Sequence, residues 1–147
     1  MAERFIEPTQ EAGAALYARN LIGEILMLNL LRFREIADYS ANPELAPENE
    51  ISGSAAYQKY IEHTLPLLRE SGGEIVLLGK GGKFFIGPQD EQWDLVMIIR
   101  QKSLSDFISF AGNEEYMAGI GHRTAALLDS RLLPISEIVD GNITLAA

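Results

Sequence analysis

No cysteine occurs among the 147 residues. That absence excludes disulfides, thiolate catalysis and the commonest zinc and iron–sulfur ligands, and it suits a reducing compartment, so the cytoplasm is the expected location. Histidine is nearly as scarce, and neither His63 nor His122 stands at metal-ligand spacing from the acids, so no metal and no cofactor is expected. Long apolar runs are missing as well: the densest, ILMLNLL, falls far short of the roughly 18 residues of a membrane span. At the start of the chain Glu3, Glu7 and Glu11 stand where an export signal needs a basic and then an apolar stretch, so export by that route is not expected. Basic charge is in deficit, with 12 Lys and Arg against 21 Asp and Glu and a net charge of −9. A chain so acidic, with no basic patch, is expected to bind neither nucleic acid nor membrane.

What is present describes one folded domain. Apolar residues make up 47% of the chain and charged residues 22%, close to globular averages and far from disorder. Residues 1–147 are read as a single domain: an N-terminal helical extension over 1–22, a core over 24–136 that carries an acidic insert at 34–53, and a C-terminal tail over 137–147.

Thr9 opens a weakly amphipathic stretch, so a short helix is predicted over 9–19. EILMLNLLRF follows as a buried strand, with Met27, Asn29, Leu31 and Phe33 on one face and Leu26, Leu28, Leu30 and Arg32 on the other. The acidic stretch after it, with Pro43 and Pro47, is longer than most connections and reads as either a lid or a disordered insert. SAAYQKYIEHTLPLLRESGG places Tyr57, Tyr60, Ile61, Thr64, Leu65 and Leu68 on one helical stripe, with a bend expected before Pro66. EIVLLGKGGKFFIGP and WDLVMIIR form a hairpin, with a bulge or a sharp bend expected at Gly79, Gly81 and Gly82. Ser103 and Asp106 make a capping-box pattern, Asn113 caps a further helix, and a last strand runs through RLLPI. In the tail, Asp140 and Gly141 mark a turn compatible with an edge hairpin or with strand exchange between subunits.

The order strand, helix, strand, strand, helix, strand is that of an α+β, ferredoxin-like βαββαβ fold, an antiparallel sheet with both helices on one face. Because the strands are apolar on both sides, the second face needs a cover. A second copy of the sheet supplies it, so a homodimer closing into an α+β barrel is expected.

MLNLLRF, IGPQDEQWD and above all HRTAALLDSRL resemble the bacterial domain-of-unknown-function family 1330 of the dimeric α+β barrel superfamily, over roughly residues 24–136. The resemblance implies a ferredoxin-like dimer with a cleft between sheet and helices, and no settled reaction. Haem-degrading members of the wider superfamily are similar in using an Asn on the first strand, a Trp on the third and a His on the second helix. Asn29, Trp93 and His122 occur here in that order, with a wider gap between the last two.

His122 and Arg123 are the candidate catalytic residues. His122 would move a proton near neutral pH and Arg123 would steady a carboxylate or enolate. The alternative is structural: Arg123 pairs with Asp129 or with an acid of a partner subunit, and His122 is a partly exposed helical residue. Asn29, Tyr57 and Trp93 are the candidate ligand-binding residues. A buried amide such as Asn29 must find either backbone groups or a ligand, while Tyr57 and Trp93 also fit as core. Asp129 and Arg131, two apart on one strand face, read as a local ion pair, and His63 reads as solvated. GKGGK lacks phosphate-loop spacing, and no GxSxG elbow surrounds Ser130. The sequence thus points to a homodimer that binds a small carbonyl-bearing or anionic molecule, either as a metal-free enzyme of proton transfer or oxygen insertion or as a non-catalytic binding or structural module.

Overall fold

The computed structural model describes residues 3–138 and Leu145. The turn expected at Asp140 and Gly141, and with it the tail's strand exchange, lies outside the described residues.

Four strands form one sheet in the order β2-β3-β1-β4. They are β1 (Ile25–Phe33), β2 (Glu74–Lys83), β3 (Gln92–Gln101) and β4 (Leu127–Ile135). Every pairing is antiparallel, although β1 to β2 and β3 to β4 are crossovers. This is the ferredoxin-like arrangement that the element order predicts. The crossovers are α2 (Gly53–Glu70) and α4 (Glu114–Ala126), the latter preceded by the short α3 (Leu104–Ala111); α1 (Gln10–Ala18) precedes the sheet. No described helix is long and apolar enough to cross a membrane.

The helices start where side-chain caps allow. The Thr9, Ser52 and Ser103 hydroxyls accept from Ala12, Ala55 and Asp106 N–H, and the Asn113 amide oxygen accepts from Glu115 and Tyr116 N–H, each satisfying donors that the first turn leaves free. Pro66 stays inside an unbroken α2. The β2 irregularity falls between Ile75 and Leu77 rather than at the glycines, which remain in register, with Gly79 opposite Val96 and Gly82 opposite Trp93. The lack of a Cβ serves close approach here: one added at Gly81 would lie 2.4 Å from the Trp93 carbonyl oxygen.

β1 alternates as its pattern demands. Ile25, Met27, Asn29 and Leu31 are buried beneath the helices, and Leu26, Leu28 and Leu30 are only half-buried on the other face. The core joins Leu31 and Met97 of the sheet to Ala56, Tyr57 and Tyr60 of α2 and to Tyr116 and Ala126 of α4. On the opposite face the register sets Leu77, Ile98, Leu28 and Leu133 in one row across all four strands. Leu77 is 46% and Leu133 55% exposed, so the single chain leaves a continuous apolar row in water.

The acidic insert is folded, not disordered. Arg34 N–H donates to Ala126 O at 2.8 Å, Asp38 N–H to Ala125 O at 2.9 Å, and Ala37 N–H to Ile51 O at 2.9 Å. A short 3-10 turn, Pro43–Leu45, rests on the α4 backbone where Gly121 leaves room: a Cβ there would lie 2.6 Å from the Leu45 side chain. These hydrogen bonds satisfy the open C-terminal carbonyls of α4, which explains why a polar, aperiodic segment is ordered.

Candidate functional site

A cavity of about 210 Å³ lies between α2 and the sheet, lined by Phe33, Ser54, Tyr57, Gln58, Ile61, Ile75, Leu78 and Leu95. Helical spacing puts Tyr57 and Ile61 on the stripe of α2 that faces β1 and β3, and Ser54 and Gln58 on the flank beside them. Leu78, on the edge strand β2, is 60% exposed and marks the open side. The lining is mostly apolar, with Ser54, Tyr57 and Gln58 as its polar residues.

Tyr57 is the one sequence-selected residue in this lining. It is 3% exposed, and its ring packs on Phe33 at 5.4 Å and on Tyr60 at 5.2 Å between centroids. Burial pushes the Tyr57 phenol well above its ordinary value, partly countered by the Arg123 guanidinium. Burial likewise raises Tyr60, whose hydroxyl meets that of Tyr116 at 2.9 Å. Both tyrosines are therefore neutral hydroxyls at physiological pH, fit for hydrogen bonding and not for nucleophilic attack.

The other selected residues have partners elsewhere. Asn29 is buried, and its amide N–H donates to the Met27 carbonyl at 3.1 Å, the backbone alternative for a buried amide. Trp93 is 2% exposed; its indole N–H reaches Glu91 Oε2 at 3.4 Å, and the Arg131 guanidinium lies 5.0 Å from the ring centroid. Arg123 does not pair with Asp129. Its Nη1 donates to the Ile6 carbonyl at 2.6 Å, while Asp129 takes Arg131 at 2.6 Å, the local pair expected from their spacing. His63 is not simply solvated, because its Nε2 meets the Glu115 carbonyl and Gly119 leaves space for its ring.

His122 Nδ1 lies 2.7 Å from the Tyr39 hydroxyl of the insert, with the two rings edge to face at 5.6 Å. Burial, then the charges of Lys59 and His63, hold its imidazole below the ordinary value. The unfolded chain therefore takes up the proton first, so the stability that neutral His122 contributes is present above about pH 6.5 and is lost as pH falls through the lowered folded value. Acidification from pH 7 to pH 5 is expected to lower the melting temperature, and His122→Gln is expected to flatten part of that slope in thermal unfolding. An unchanged slope would remove His122 from the acid response.

No group of three or more His, Asp or Glu able to hold a metal ion is found among the described residues. The cavity residues other than Tyr57 were not legible as a site, because Phe33, Ile61, Ile75, Leu78 and Leu95 are ordinary core letters in the sequence. Two positions one helical turn apart on the α2 stripe, Tyr57 and Ile61, were the available signal.

Among solved structures, the chain is similar to RPA0582, a protein of unknown function from Rhodopseudomonas palustris, at 34% identity over 94% of this chain and 100% of that chain, with a TM-score of 0.81. The methylated form of RPA0582 matches at 34% identity over 95% of this chain and 98% of that chain, with a TM-score of 0.83. No family model and no curated protein matches the chain.

Proposed function

The chain belongs to the family of RPA0582, and from that starting point we propose that it is a homodimeric domain that binds a small, largely apolar molecule bearing a carbonyl or a negative charge in the cavity beneath α2. The resemblance of HRTAALLDSRL to domain-of-unknown-function family 1330 belongs to the same reading. The observation that carries it is the cavity itself: an apolar pocket with few polar groups, at the junction of helix and sheet, is the usual form of a small-molecule site. Its volume of about 210 Å³ limits the ligand to a small one. Tyr57, a neutral phenol at physiological pH, is the sequence-selected residue of the lining and the candidate polar contact for such a ligand.

Neither His122 nor Arg123 lines the cavity, which supports binding over proton transfer by this pair. The dimer rests on the row formed by Leu77, Ile98, Leu28 and Leu133, which a second sheet would remove from water at about 25 cal/mol per Å².

A thermal-shift panel of small aromatic acids, quinones and lactones tests the site. A ligand at a hundred times its dissociation constant stabilises the native chain by about 2.7 kcal/mol, and Ile61→Trp, which fills the pocket, is expected to abolish the shift. Equal shifts in both chains, or none across the panel, would overturn the assignment. The second reading, a module with no ligand, draws on Asn29, whose amide already has a partner.

A further inference from the structure

We propose that Lys80 is the specificity-determining residue of the cavity beneath α2: a small, mainly apolar carboxylic acid enters apolar end first and leaves its carboxylate at the mouth, on the Lys80 ammonium. The proposal rests on the ligand-binding reading above and narrows the ligand to an acid held in one orientation.

Strand register places Lys80 at the mouth. Lys80 stands directly opposite Leu95 of β3, and Leu78 directly opposite Met97. Opposed residues of antiparallel strands share a face, with Cβ atoms about 4.5–5.5 Å apart. Leu78 and Leu95 both line the cavity, so Lys80 leaves the same, helix-facing side of the sheet beside them. β2 is an edge strand, and Lys80, like Leu78, is exposed. A lysine stem lies along apolar surface while its charged head stays in water, which suits the open side of an apolar pocket.

The interior of the cavity disfavours charge. No lining residue is charged. Burial raises the Tyr57 phenol by more than the Arg123 guanidinium lowers it, and a carboxylate at that depth would lose hydration in the same way. An acid is therefore held with its carboxylate outward. Two charges set the direction. The Gln58 amide N–H donates to Glu62 Oε1 at 3.3 Å, so the α2 side carries a carboxylate that repels the ligand's own, whereas the β2 side carries Lys80. The ion pairs among the described residues are those of Arg100 and Arg131, which leaves Lys80 without one in that set. In a chain of net charge −9, which repels anions at a distance, a local cation is what favours an acid over its neutral analogue.

Calorimetric titration with benzoate and cinnamate, each beside its primary amide, tests this. The native chain is expected to bind each acid more tightly than its amide. Lys80→Gln is expected to weaken the acids about fivefold, the upper range for an exposed ion pair, and Lys80→Glu about tenfold or more; both should leave the amides unchanged. Lys83→Gln removes the same charge from the other face of β2, opposite Gln92, and is expected to leave both series unchanged.

Acids that bind no better than their amides, or that respond equally to Lys80→Gln and Lys83→Gln or to neither, would overturn the role of Lys80. Amide binding that Ile61→Trp abolishes would in that case leave the cavity standing. No binding of either series to the native chain would overturn both. Should Lys80→Gln fail to fold, the native chain decides through salt. Acid affinity that falls with ionic strength while amide affinity holds supports the contact, and equal responses overturn it.

Discussion

A chain carrying Leu28→Asp is expected to run as a monomer of 16.2 kDa at concentrations where the native chain runs at twice that mass. Leu28 stands in the middle of the exposed row, directly between Ile98 and Leu133. A carboxylate there would be buried without a partner if a second sheet covers it, at about 3–5 kcal/mol, which raises the dissociation constant roughly 10²-fold to 10³-fold or more. The folded monomer should tolerate the change, since position 28 is only half-buried in one chain. Ile108→Asp, at a 51% exposed apolar position of α3, is the matched control and should leave the mass unchanged. Size-exclusion chromatography with light scattering reads both. A native chain that is already monomeric would sink the dimer, and with it the cover for this face.

Gly53→Ala is expected to be among the most destabilising single substitutions in the chain. A Cβ at residue 53 would lie 2.2 Å from the Arg34 carbonyl oxygen, 2.7 Å from that of Ala126 and 2.8 Å from the Arg34 nitrogen. All three are backbone atoms, and hydrogen bonds from Gly53 N–H to Arg34 O at 3.0 Å and from Arg34 N–H to Ala126 O at 2.8 Å lock them together. The methyl group can be admitted only by parting the start of the insert, the start of α2 and the end of α4. An overpacking cost of about 3 kcal/mol corresponds to a fall in melting temperature of roughly 6–12 °C for a domain of this size. Gly13→Ala supplies the contrast: nothing lies within 4 Å of its added Cβ, and alanine favours the helix by up to about 1 kcal/mol. Equal melting temperatures for the two variants would refute the three-way junction.

The sheet and its helices were legible because their signals are local. Alternation along ILMLNLL, the caps Thr9, Ser103 and Asn113, and the stripe through Tyr57, Tyr60 and Leu68 each depend on neighbours within a few residues, and each yields the predicted element. The Asp129–Arg131 pair was legible for the same reason, as two side chains on one strand face. The order of the insert, which the sequence leaves open between a lid and disorder, comes from carbonyls of Ala125 and Ala126 far along the chain, and periodicity carries no trace of such partners. The bulge was sought at the glycines because glycine permits one. Packing of Gly81 against the Trp93 carbonyl uses that freedom differently.

By itself the sequence determined the fold class, the strand faces and the absence of thiol chemistry, since those follow from residue type and from periods of two and 3.6. Only the tertiary structure decided which selected residues share a surface. Tyr57 lines the cavity, whereas His122 meets Tyr39 and Arg123 meets Ile6. Which face a side chain occupies is a property of its own element, but what it touches across a gap is set by how separate elements pack, and that depends on distances no spacing along the chain encodes.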